Sequence, residues 1–168
     1  MITVYGSVQI DPAHFRQVLG HLPTGVTVIA AHGRHGPVGM AANSVTSVSL
    51  DPPLILLCPA KSSSTWPEIR AVGSLCVNVM AEHHEEVTRQ FAGREADRFS
   101  GIDYTSRPTG PALCDAVAWI ECTIHDEHDA GDHTIVVARV VAIEAAPNAE
   151  PLVFFRGRYG SFRAATAV

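Results

Sequence analysis

Apolar positions along the chain fall mostly into short runs of strand length, and only in a few places at the spacing of a helix. Phe15, Val18, Leu19 and Leu22 recur three and four residues apart, which marks one apolar helical face. Asp11 and Pro12 stand just ahead of them as an N-cap and a proline suited to the first helical turn, and Pro23 and Gly25 close the segment. A second helix is predicted over Glu82 to Phe91, acidic at its start and with Arg89 near its end, as the helix dipole favours. The segment Pro59 to Gly73 reads as a loop with a short helix.

The other apolar runs read as strands: Val26 to Ala31, Leu54 to Cys58, Leu75 to Met80, Ala116 to Asp126, Thr134 to Glu144 and Leu152 to Phe155. Val38 to Leu50 reads as one long segment, stopped at Asp51-Pro52-Pro53 because proline cannot donate to a ladder. His32 to Gly36 is a predicted turn, Glu127 to His133 a polar loop, and Arg94 to Pro111 an irregular polar stretch. About six or seven strands and two or three short helices, without regular alternation, argue against a doubly wound sheet. A mainly β fold is expected, a closed or nearly closed antiparallel barrel, since closure removes exposed edges.

Composition narrows the picture. A chain of 168 residues, 46% apolar and 17% charged, suits one domain over residues 1–168 with one soluble core. The apolar surplus points to strands buried on both faces or to a subunit interface. The net charge is -5 with signs interspersed and no basic run, which argues against a nucleic-acid partner. No apolar stretch approaches the roughly 20 residues of a membrane helix. The opening MITVYGSVQI lacks the basic and apolar parts of a signal peptide, so a cytoplasmic protein, off the membrane, is expected. Cys58, Cys76, Cys114 and Cys122 show no CxxC spacing and read as reduced, small core residues.

Three segments offer chemistry. Gly39 to Ser47 combines small residues, which let a flat ligand approach the backbone, with the hydrogen-bonding side chains of Asn43 and Ser44; it also reads as a strand with one solvent-facing side. Lys61-Ser62-Ser63-Ser64-Thr65 opens a short helix and suits a phosphate, or is an N-cap cluster beside a solvated lysine. His133, beside Asp132 at a strand start, is placed to face a ligand, or lies in a plain polar turn. A metal at Cys122, His125, His128 and His133 is disfavoured, because the spacing matches no ligand motif and Cys122 and His125 point to opposite strand faces. His83-His84 reads as solvent-facing. Dinucleotide, P-loop and nucleophile-elbow fingerprints are absent from the sequence.

Taken in order, the segments resemble the flavin reductase-like family, the small NAD(P)H:flavin oxidoreductases of two-component monooxygenases. The matching stretches are Pro23 to Val28, Gly39 to Pro53, Lys61 to Thr65, Phe91, Asp97 to Gly101, Gly131 to His133, and Phe155 to Tyr159. The resemblance implies a split β-barrel, an antiparallel Greek-key barrel, with flavin bound at a homodimer interface. It implies that Met40, Ala41, Ala42, Asn43 and Ser44 line the flavin ring and ribityl chain, with Ser47 adding a contact. Lys61, Ser62, Ser63 and Ser64 would hold the phosphate end, Phe91 and Tyr159 would flank the flavin, and His133 would sit near the nicotinamide as the catalytic candidate. FMN or FAD, NADH or NADPH, and a flavin-dependent monooxygenase are the implied cofactors and partner. A non-catalytic FMN-binding or flavin-storage protein on the same barrel is the alternative.

Overall fold

The computed structural model describes residues 10–94 and 97–165. Most of the opening segment read for a signal peptide therefore lies outside the described residues. Helix α1 (Pro12–Leu19) is capped as predicted, the Asp11 carboxylate accepting from the His14 amide at 2.9 Å. A short strand β1 (Thr24–Gly25) precedes β2 (Thr27–Gly33), which turns at Arg34 and His35 into β3 (Gly36–Ala42). Strands β4 (Thr46–Leu50) and β5 (Pro53–Leu57) follow. The stretch read as one segment from Val38 to Leu50 is thus two strands, parted at Asn43-Ser44-Val45.

Helix α2 (Trp66–Val72), strand β6 (Ser74–Val79) and helix α3 (Glu85–Ala92) come next, with a single 3-10 turn at Glu82–His84 leading into α3. The stretch expected to be irregular contains a hairpin, β7 (Tyr104–Arg107) and β8 (Gly110–Leu113). Strands β9 (Ala118–Ala130) and β10 (His133–Ala145) pair down to a tight turn at Gly131-Asp132, so the predicted polar loop from Glu127 is mostly ladder. Strand β11 (Leu152–Phe155) pairs with β12 (Arg158–Ser161), a strand with no apolar run of its own.

The main sheet runs β3-β2-β6-β9-β10-β5-β4, each neighbouring pair antiparallel. Its two edge strands, β3 and β4, are consecutive in the chain. From Ala42 to Thr46 the backbone reaches at most about 14 Å, whereas seven strands laid flat would hold their outer members about 29 Å apart. The sheet therefore has to curl until its edges approach, which makes it a barrel split along the β3–β4 seam. A smaller sheet, β1-β11-β12, joins it through backbone bonds from Val26 to Leu152 and from Met80 to Val26.

Strand pleating sorts the apolar residues into two cores. Ile29, Leu57, Leu75, Val77, Cys122 and Val136 fill the inside, where Trp66 and Ile69 of α2 also pack. On the other face of β2, Val28, Ala30, Met80, Phe91, Leu113 and Leu152 form a second cluster. Two expectations need correction. His84 is buried rather than solvent-facing, because its ring Nδ1 accepts from the Ala81 amide at 3.3 Å and so caps the turn before α3. Cys114 is exposed, since it follows β8 at the surface, while Cys76 and Cys122 are core residues whose thiols burial pushes up to about 12. Among the described residues no helix is long and apolar enough to cross a membrane.

Candidate functional site

Alternation along β3 divides the run predicted to contact a ligand. Met40 and Ala42 lie against the inner core, whereas Ala41 packs on the second cluster. Just past Ala42 the chain leaves the sheet at the seam, and there a cleft of about 270 Å³ opens. Val26, Ala41, Ala42, Asn43, Thr88, Phe154 and Tyr159 line it. Four of the expected ligand residues thus meet in one place: Ala41, Ala42, Asn43 and Tyr159.

The cleft has a small-residue floor and aromatic walls. Tyr159 is half-buried, tilted against Phe154 at 5.3 Å, with the Arg89 guanidinium 4.9 Å over its ring. Burial raises its phenol above the ordinary value, against the pull of Arg89. Arg89 is itself held by Glu85 one helical turn away, at 2.7 Å. Thr88 was not singled out in the sequence. It is fully buried, and its hydroxyl has no hydrogen-bond partner. Nothing in the sequence marks it, because a threonine among the polar residues of a surface helix is unremarkable until the helix is docked.

Phe91 does not stand on the cleft wall. It is 1% exposed and sits behind β3, where a Cβ on Gly39 would lie 2.9 Å from its ring. Its edge meets Phe99 at 4.9 Å. The aromatic expected to flank a flavin is instead the packing that seats α3 against β3.

Ser44 and the Lys61–Ser64 segment come to the seam from the other side. The Ser44 hydroxyl accepts from the Cys58 amide at 2.9 Å, tying the β3–β4 link to the end of β5. The Ser63 hydroxyl accepts from the Trp66 amide at 3.1 Å and lies 3.8 Å from the Met40 sulfur, so it both starts α2 and touches β3. Ser62 and Ser64 are exposed. Ser64 lines a second cleft of about 250 Å³, which Gly39, Thr65, Arg94 and Arg98 also border. Arg98 donates to the Gly39 carbonyl at 3.1 Å and to the Thr65 hydroxyl at 2.6 Å. Ser47 is exposed on β4, beyond the seam.

His133 is brought next to Lys61, far away in sequence. Ala60 bridges to His133, and the Lys61 amide donates to the Asp132 carbonyl at 2.9 Å. The Lys61 ammonium pairs with Asp129 in solvent, an exposed pairing that an arriving anion competes with at little cost. His133 Nδ1 meets the Asp132 carboxylate at 2.7 Å. That hydrogen bond, more than charge, holds the Asp132 carboxyl below its ordinary value. Two elements thus assemble around the seam: an apolar cleft with sparse polar groups, and a polar rim carrying a lysine, three serines and a histidine.

Comparison with known proteins agrees with this fold. A family model described as flavin reductase like domain matches residues 19–163. A flavin reductase of Pseudomonas putida is 43% identical over 157 residues, covering 92% of this chain and 92% of that one. HsaB, the reductase subunit of a flavin-dependent monooxygenase in Rhodococcus jostii (strain RHA1), is 43% identical over 151 residues, 89% of this chain and 77% of that one. The solved NADH:FAD oxidoreductase SgcE6 of Streptomyces globisporus, in complex with NAD and FAD fragments, superposes with a TM-score of 0.88 at 36% identity, covering 96% of this chain and 100% of the other.

Proposed function

This chain belongs to the flavin reductase-like domain family, and on that premise we propose that it takes hydride from NADH, passes it to FMN or FAD, and delivers reduced flavin to a partner flavin-dependent monooxygenase. It is a flavin reductase of the kind that serves as one component of a two-component oxygenase. The observation that carries the reading is the seam cleft, where Ala41, Ala42, Asn43, Thr88 and Tyr159 converge.

The residues present fit a flavin. Ala41 and Ala42 leave room for a flat ring to lie against backbone, and the cleft's polar groups are few and convergent. When bound, the flavin supplies the hydride acceptor, and hydride chemistry asks little of the protein beyond placement and electrostatics. In this reading the β3 end and Tyr159 hold the ring, and Asn43 and Ser44 hydrogen-bond its polar edge and chain. Lys61 and Ser62 to Ser64 hold the phosphate end with an exposed point charge and hydroxyls. His133, fixed by Asp132, orients the nicotinamide. An exposed, half-solvated phosphate rim suits a flavin that has to leave after reduction.

The chain also works as a homodimer in this reading. Helix α1 has no buried residue, and Phe15, Val18, Leu19 and Leu22 are all exposed. So short a helix is not stable in water by itself, and a second copy covering that face supplies the missing packing. A cytoplasmic location goes with the reading. The test is NADH oxidation with catalytic protein and excess free FMN or FAD. Turnover that requires added flavin is expected and ranks the two flavins; tight flavin binding without NADH or NADPH oxidation would overturn the reading.

A further inference from the structure

Among the described residues, four buried side-chain atoms have no hydrogen-bond partner: Thr24 Oγ1, Thr88 Oγ1, Arg98 Nε and Glu127 Oε1. Arg98 has its Nη1 engaged, and of the four residues only Thr88 is fully buried. It is also the one that lines the seam cleft. A helical threonine commonly bonds its hydroxyl to the carbonyl one turn back, and Thr88 does not. Buried polar groups are nearly always satisfied, and an exception asks for an explanation such as a missing ligand.

The surroundings say what that ligand offers. The rest of the cleft wall is Val26, Ala41, Ala42, Phe154, Tyr159 and one amide, Asn43. Walls of that kind accept a flat, largely apolar ring whose polar atoms lie along an edge. The hydroxyl has a donor to give and no acceptor inside the protein. We propose that the Thr88 hydroxyl is a hydrogen-bond donor to an acceptor on the polar edge of the flavin ring. The proposal deepens the functional reading above and rests on it. It adds to the site a second residue of α3, the element from which the sequence motifs take only Phe91. It also gives Phe91 a second consequence: by seating α3 against β3, it fixes where Thr88 lies against the cleft.

Thr88→Val and Thr88→Ser in the full chain separate the hydroxyl from its shape. Flavin binding is read by fluorescence titration with FMN and FAD, alongside KM and kcat for flavin and NADH and the thermal midpoint without flavin. Thr88→Val is expected to unfold no lower than wild type, since an unpaired buried hydroxyl has been replaced by an apolar group of the same shape. It is expected to bind flavin about fivefold more weakly, a loss seen in the titration and in the flavin KM, while Thr88→Ser stays within about twofold of wild type. Should Thr88→Val fail to fold, Thr88→Ala against Thr88→Ser makes the same comparison. Wild-type flavin affinity in Thr88→Val, a loss confined to the NADH KM, or Thr88→Ser as weak as Thr88→Val would each overturn the assignment while leaving the reductase intact. A wild-type chain that neither binds nor reduces flavin would overturn the functional reading itself, and this assignment with it.

Discussion

His84 and His133 put the same side chain to opposite uses. His84 is needed neutral: its Nδ1 accepts from the Ala81 amide, and burial, then the adjacent His83, lowers its pKa, with Asp115 pulling the other way. The folded state therefore takes up this proton at lower pH than the unfolded chain. The stability it contributes is complete above the ordinary histidine value, about 6.5, and is lost as pH falls below it. Melting curves between about pH 7 and pH 5 are expected to drop more steeply for wild type than for His84→Gln. Parallel curves would place the pH sensitivity elsewhere. His133 stands half-exposed beside an acceptor, Asp132. Replacing it as His133→Asn is expected to raise the NADH KM about tenfold and leave flavin affinity unchanged. Steady-state kinetics with each substrate varied in turn checks this.

Elements defined by local chemistry were legible in the sequence, and elements defined by their neighbours were not. Helix α1 could be read because Asp11, Pro12 and the apolar spacing all lie within the element. Strand β12 could not, because Arg158-Tyr159-Gly160-Ser161 is extended only through pairing with β11. The β7–β8 hairpin was hidden for a similar reason, since β7 is largely exposed and polar. What holds it down is remote: Thr109 donates to the buried Glu121 at 2.9 Å, and Arg107 approaches the same carboxylate at 3.6 Å and stacks over Trp119. The lining of the cleft divides along the same line. Motifs name Ala41, Ala42, Asn43 and Tyr159 as candidates, whereas Thr88 depends on how α3 docks, and the placement of Phe91 in the core depends on the lack of a side chain at Gly39. Contact between the hairpin and β2 sets a sharp test. A Cβ on Gly110, at φ 159°, would lie 2.4 Å from the Ala30 carbonyl oxygen. Gly110→Ala is expected to destabilise the fold by about 2 kcal/mol or more, read from denaturant midpoints, with no direct effect on flavin affinity in the protein that remains folded.

At the scale of the whole molecule, apolar surface remains uncovered in a second region. Strand β10 runs on past the start of β5, and along that extension Val141 and Ile143 are exposed, while Val48 and Leu50 are exposed on β4. Together with the open face of α1 this is more apolar surface than a lone subunit usually leaves in water. Leu50→Glu with Ile143→Glu is expected to shift sedimentation at micromolar concentration from dimer towards monomer. An unchanged dimer boundary would assign the proposed contact to α1 alone, and a wild-type monomer would overturn the dimer itself.

The seam between β3 and β4 has a kinetic meaning as well. A fully laced barrel would have to break ladder bonds to admit a guest. Here the strand that carries Ala41 and Ala42 is an edge strand, with amides on one side that the sheet leaves unclaimed. On the functional reading proposed above, a guest would enter and depart without unzipping anything, and while resident it would shelter that margin from solvent. Amide hydrogen exchange along residues 39–44 should therefore slow when flavin is added and recover when it is removed, while exchange in β6 and β9, at the middle of the sheet, stays where it was.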